Sequence, residues 1–192
     1  MLAQVFLPSL AAPSVTPTLH PELWEKISRF ELDDPAAALS FTDRLARENG
    51  WSLPFTLQAV EEYKRFMFLL CVTDHPLTPS DAVDQVWHLH LLYTRSYWID
   101  FCQYTLERPV HHGPTRGGSP EQAKFDGWYT YTLTQYAEVF GQEPPVAVWP
   151  SLAIRFRAAR FCRVDLRTHW LLPSFLFYGV RSSLRLSPGP PH

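Results

Sequence analysis

Asp84, His88, His90, Cys102, His111 and His112 lie in one stretch of a 192-residue chain that has eight histidines in all. They fall in two pieces, DQVWHLHLLYTRSYWIDFC (84–102) and VHHGP (110–114). Imidazole nitrogen, carboxylate oxygen and thiolate sulfur are the donors that bind transition metals, and the same groups perform general acid–base chemistry. Which of them can act together depends on the element that carries them.

Thr78-Pro79-Ser80-Asp81 reads as a helix start, with Thr78 as the cap, Pro79 in the first turn and Asp81 completing a capping box. The helix is expected to run to Tyr93 or Thr94. At about 100° per residue, Asp84 and His88 are then only ~40° apart on one face, while His90 lies about 200° round from His88, beside Val83 and Trp87. A regular helix therefore splits the H-x-H pair. Val86, Leu89, Leu91, Leu92 and Tyr93 spread apolar groups nearly all the way round, as in a central, buried helix. Asp84 and His88 are thus expected in a low-dielectric setting, needing each other, another side chain or a metal as partner. His90 reads as a satisfied core histidine.

A second helix is expected over about 95–106, with Cys102 on a core stripe beside Trp98, Phe101 and Thr105. VHHGP lies in a proline- and glycine-bounded loop that can fold back towards His88. Loops often carry ligands, although paired loop histidines are also ordinary surface residues.

The rest of the chain supplies the scaffold. Helices are expected at 20–30, 35–49 (closed by Gly50), 55–73 and 119–140 (opened by Ser119-Pro120 and closed by Gly141). EPPVAVWP reads as an extended linker, and the alternation in CRVDL within 161–173 suggests a short strand. The expected fold is mainly α: a single-domain helical bundle of about six helices with a small extended β element near the C-terminus. Residues 1–19 form a flexible arm, 20–181 the domain and 182–192 a disordered tail. Glu61-Glu62 and Lys64-Arg65 read as a solvated face, and the aromatics of DGWYTYTLTQYAEVF chiefly as core. RFRAARFCR (155–163) is a basic strip, read as surface rather than as an RNA contact.

Composition narrows the function classes. A formal net charge of −2 provides no basic field for a nucleic-acid backbone, so none is expected as partner. The three cysteines are widely spaced, which suits a reducing cytoplasm better than a disulfide framework. Without a basic leader segment or a long apolar run, neither a signal peptide nor a membrane span is expected. No Walker loop, G-x-G-x-x-G, G-x-S-x-G or H-E-x-x-H occurs.

The spacing also resembles the glycine-rich domain-containing protein-like family, known from plants and with shorter bacterial and fungal relatives. The matching residues are Asp84, Trp87-His88-x-His90, Thr94, Tyr97, Cys102, His111-His112-x-Pro114, Gly117, Phe140-Gly141, Pro144-Pro145 and Trp149-Pro150, within about residues 55–173. The chain would be a short bacterial-type member, without the glycine-rich tail and with Phe101 where an Asp often precedes the cysteine. The resemblance strengthens the site but implies no particular reaction.

Three functions follow. The preferred one is binding of a divalent transition metal, zinc first and iron second, through His88 and His112 with Asp84 as third ligand or orienting group, His111 and Cys102 in reserve. Such a site could serve a metal-dependent enzyme acting through a metal-activated water or through oxygen activation at iron. A second is metal-free catalysis with Asp84 orienting His88 as general base and Cys102 or a substrate hydroxyl as proton donor. The third is a non-enzymatic interaction or scaffold module in which the His/Asp/Trp cluster is a structural polar network. The partner would be a small molecule or a protein; the sequence gives neither its identity nor the oligomeric state.

Overall fold

The computed structural model describes residues 20–113 and 119–155. Over these the chain forms α1 (Pro21–Ser28), α2 (Phe41–Asn49), α3 (Leu53–Val72), α4 (Asp81–Leu92), a π-helix, π1 (Ser96–Thr105), α5 (Ser119–Phe140) and the single turn α6 (Leu152–Arg155). The mainly α expectation holds, and no strand occurs among the described residues. The expected arm, the CRVDL strand, nearly all of the basic strip and the tail lie outside them. Among the described residues no helix is long and apolar enough to cross a membrane.

α3 is the axis of the fold, with α1, α2, α4 and α5 packed round it. Its sequence explains why: Ala59, Tyr63, Phe66, Met67, Phe68 and Leu69 are all but fully buried, an apolar distribution too wide for a surface helix. Trp24 of α1 meets Phe68 of α3 and Phe140 of α5 edge-on, with ring centroids 5.6 and 5.4 Å away. Phe66 meets Trp87 of α4 at 5.8 Å in the same way. Such pairs add about 0.5–1.5 kcal/mol each beyond the area they bury.

Several helix limits differ from those read in the sequence, for local reasons. α2 begins at Phe41 rather than at Pro35, because Ser40 caps it through the Asp43 amide at 3.0 Å and Asp33 takes the Thr42 amide at 2.8 Å. α4 is capped by Ser80, whose hydroxyl accepts from the Val83 amide at 3.2 Å, and not by Thr78. Thr78 is buried, and its own amide donates to Thr132 of α5 at 3.0 Å. The ends of α2 and α5 fall where expected, with Gly50 at φ +66° and Gly141 at φ +64°, left-handed positions that glycine occupies without strain.

The Glu61–Arg65 stretch is not a solvated face. Glu61 is exposed, but Glu62 and Lys64 are buried. The Glu62 carboxylate accepts from Arg65 at 2.5 Å, from the Trp149 indole N–H at 2.9 Å and from the Tyr136 hydroxyl at 3.3 Å. One buried carboxylate thus joins α3, α5 and the segment after α5. Burial pushes its pKa up, against the lowering effect of Arg65 and the other donors.

Candidate metal centre

α4 turns Val83, Val86, Trp87, Leu89 and His90 into the core and leaves Asp84 half-buried and His88 exposed. The expectation that both sit in an apolar interior is corrected here: Asp84 and His88 share a face, but it is the face turned outward. His90 is inside, as the helical angle requires. Its Nδ1 and Nε2 are bonded to the Tyr63 hydroxyl at 2.8 Å and the Ser96 hydroxyl at 3.1 Å, so the neutral ring accepts at one nitrogen and donates at the other. Desolvation pulls its pKa down to about 3.

The segment after α4 winds as a π-helix rather than as the expected α-helix. Tyr97, Phe101, Cys102 and Leu106 are buried, a repeat of i, i+4, i+5 and i+9 that fits a turn wider than an α-helical one. The amide of Leu106 accordingly donates to the carbonyl of Phe101, five residues back, at 2.8 Å. This winding removes Trp98 and Thr105 from the core stripe on which the α-helical reading placed them. It also sets Tyr97 at the centre of a chain of hydrogen bonds. The Trp87 indole N–H donates to the Tyr97 oxygen at 2.9 Å, and the Tyr97 hydroxyl donates to the Val110 carbonyl at 2.6 Å.

That bond anchors the loop that returns to α4. Two residues further on, His112 Nε2–H donates to Asp84 Oδ1 at 2.8 Å. The His112 ring stands edge-on to Trp87, with centroids 4.3 Å apart, and 4.7 Å from the ring of His88. His88 Nδ1 is 3.8 Å from Asp84 Oδ2. Asp84, His88 and His112 can each offer one ligand atom such that all three lie within 4.8 Å of one another.

This donor set can be compared with what a metal requires. Bonds of 2.0–2.2 Å to nitrogen and oxygen put neighbouring ligand atoms about 3–3.5 Å apart around a tetrahedral or octahedral ion. The His112–Asp84 pair is already near that spacing, and the exposed His88 side chain can close the remainder by rotating about its own bonds. Two imidazoles and one carboxylate suit zinc or iron(II), and the residues present fit such an ion.

The two reserve residues are placed differently. His111 is exposed and packs against Trp98, ring centroids 5.4 Å apart, outside the group formed by Asp84, His88 and His112. Cys102 is buried and, with Trp98 and Arg108, lines a groove of about 260 Å³. Burial pushes its thiol pKa up, while hydrogen bonds from the Val110 backbone and Tyr97 act the other way. A thiol in that state is neither a ready ligand nor a ready nucleophile. The alternation of the loop decides between the neighbours: Val110 points in, His111 out and His112 in.

A polar network of Trp, His and Tyr is one expectation from the sequence, but the tethering of the loop by Trp87 and Tyr97 is not. Their polar atoms are satisfied by one another and by a loop carbonyl, a contact that no spacing signals.

Comparison with known proteins places part of this stretch. Residues 43–130 are similar to the UCP032817-like family. The match corrects the resemblance to the glycine-rich domain-containing proteins, since over these residues it is the UCP032817-like family that the chain is similar to. The UCP032817-like region runs from early α2 into α5 and contains Asp84, His88, Tyr97 and His112, so the donors and their support lie inside one matched unit. The family description names no activity. No curated protein and no solved structure is significantly similar to the chain.

Proposed function

We propose that this protein binds a divalent transition metal, zinc first and iron(II) second, through Asp84, His88 and His112. The observation that carries the reading is the convergence of three ligand-capable atoms from two separate segments within 4.8 Å. Asp84 and His88, one helical turn apart, form one edge of the site, and His112 closes it from the loop. Half of the His88 side chain surface is exposed, so the site opens to solvent on that side and leaves room for a water or a small molecule. A metal held there supplies Lewis acidity towards such a molecule. The chain's own part is to hold Asp84 and His112 in register and to keep His88 free to reorient.

The interaction-module reading has one observation in its favour. The His112–Asp84 hydrogen bond, 2.8 Å long, and the packing of His112 on Trp87 complete a polar network without any ligand. Metal analysis separates the two. Protein purified without a tag and without chelators is expected to carry a transition metal in stoichiometric amount, and His88→Ala to lose most of it. Unchanged metal content in His88→Ala would refute the assignment and leave the structural network as the better reading.

A further inference from the structure

We propose that Tyr97 is a positioning residue of this metal centre: its hydroxyl, fixed by Trp87, holds the Val110 carbonyl and thereby the height of His112 above Asp84. The inference rests on the metal-binding reading and adds to it the device that assembles the site.

The argument begins with the loop. His112 has to meet Asp84 and His88 from between His111 and Gly113, residues that do not form regular structure. Something other than a helix must set its backbone. Val110 is where this happens: its side chain is buried, its carbonyl accepts from Tyr97 at 2.6 Å and its backbone is hydrogen-bonded to Cys102. Tyr97 is itself fully buried, takes the Trp87 N–H at 2.9 Å and gives its hydroxyl hydrogen to the Val110 carbonyl. Burial also keeps Tyr97 far above the ordinary range for a phenol, and it remains a donor at any working pH.

Trp87 closes the arrangement. The same indole whose N–H orients Tyr97 presents its ring to His112 at 4.3 Å. One side chain of α4, lying between Asp84 and His88 in sequence, therefore fixes both the tether and the imidazole that the tether carries. The π-helical winding is part of the device, because it puts Tyr97 and Cys102 on one buried face beside Val110. π-helical turns recur at functional sites, where they re-aim side chains in this way.

The test uses the full chain and zinc(II) alone as probe, with affinity measured by competition against a chromophoric chelator. Tyr97→Phe keeps the ring and removes the hydroxyl. It is expected to weaken zinc binding about tenfold, the low end of the 10–100-fold range for groups that orient a ligand, because Tyr97 acts through the backbone. Tyr63→Phe is the matched control. It removes a buried hydroxyl bonded to His90 on the opposite side of α4 and is expected to lower stability while leaving zinc affinity unchanged. Hydrogen exchange in the metal-free protein gives an independent readout: amides 111–113 should exchange faster in Tyr97→Phe and not in Tyr63→Phe.

Wild-type zinc affinity and unchanged loop exchange in Tyr97→Phe would overturn the positioning role, as would an equal loss of affinity in Tyr63→Phe. A wild-type protein that binds no zinc would instead overturn the metal-binding reading, and the role in the metal centre with it.

Discussion

His90 makes the stability of this fold depend on pH in a way that can be worked out in advance. The ring has no exposed surface and is enclosed by Phe30, Phe41, Tyr63, Tyr97 and Phe101. Among the described residues, the ionisable groups facing it are the two tyrosines, both held neutral by burial, and no carboxylate is among its ring or hydrogen-bond neighbours. Its pKa falls from the ordinary 6.5 to about 3 in the folded chain. Between those values the unfolded chain binds a proton at His90 and the folded chain does not. Stability at this group is therefore fully present above pH 6.5 and declines as the pH falls towards 3. At about 1.4 kcal/mol per pH unit, the loss is roughly 2 kcal/mol between pH 7 and 5, and roughly 4–5 kcal/mol over the whole window. The perturbation is His90→Gln, which keeps a donor and an acceptor but does not titrate. Urea unfolding of both proteins at pH 7 and 5 isolates the residue, because every other group is common to the two. Wild type should lose about 2 kcal/mol more than the variant, a midpoint difference of about 1 M urea for a slope near 2 kcal/mol/M. Equal losses in the two proteins would refute the reasoning and put a charged or hydrated imidazole at position 90.

Other outcomes follow from the same packing. Glu62→Gln puts an amide N–H against donors that now meet a carboxylate, and should lower stability by about 2–4 kcal/mol at pH 7 in chemical denaturation. Ser80→Ala removes the cap of α4 and should cost about 1 kcal/mol, whereas Thr78→Ala should leave the α4 cap untouched. Cys102 should resist alkylation in the folded protein and react only after unfolding, followed by thiol titration with and without denaturant.

The sequence made some of this legible and hid the rest for physical reasons. The split between His88 and His90 was readable because helical angle alone decides it, and His90 is indeed in the core with Trp87 beside it. The outward direction of the Asp84–His88 face was not readable, since Leu91 and Leu92 gave the helix an apolar look on a side that carries exposed Leu92. Glu62 looked like part of a surface ladder because its i+3 neighbour Arg65 is what a surface pair would show. Its burial depends on Tyr136 and Trp149, more than seventy residues further on. The π-helix was missed because Trp98 and Thr105 suit an α-helical stripe, and only the buried Leu106 reveals the wider turn. Between His111 and His112 nothing local could decide, because the alternation is set by Val110 and its tether.

The most direct test of the metal centre is cobalt(II) titration of untagged, metal-free protein followed by visible absorption, with His88→Ala, His112→Ala, Asp84→Ala, His111→Ala and Cys102→Ala in parallel. Saturation at one equivalent is predicted for wild type, His111→Ala and Cys102→Ala, with ligand-field bands of nitrogen and oxygen coordination and no thiolate charge-transfer band. The three remaining variants should not saturate. A charge-transfer band that disappears in Cys102→Ala, or saturation undisturbed in His88→Ala and His112→Ala, would contradict the assignment.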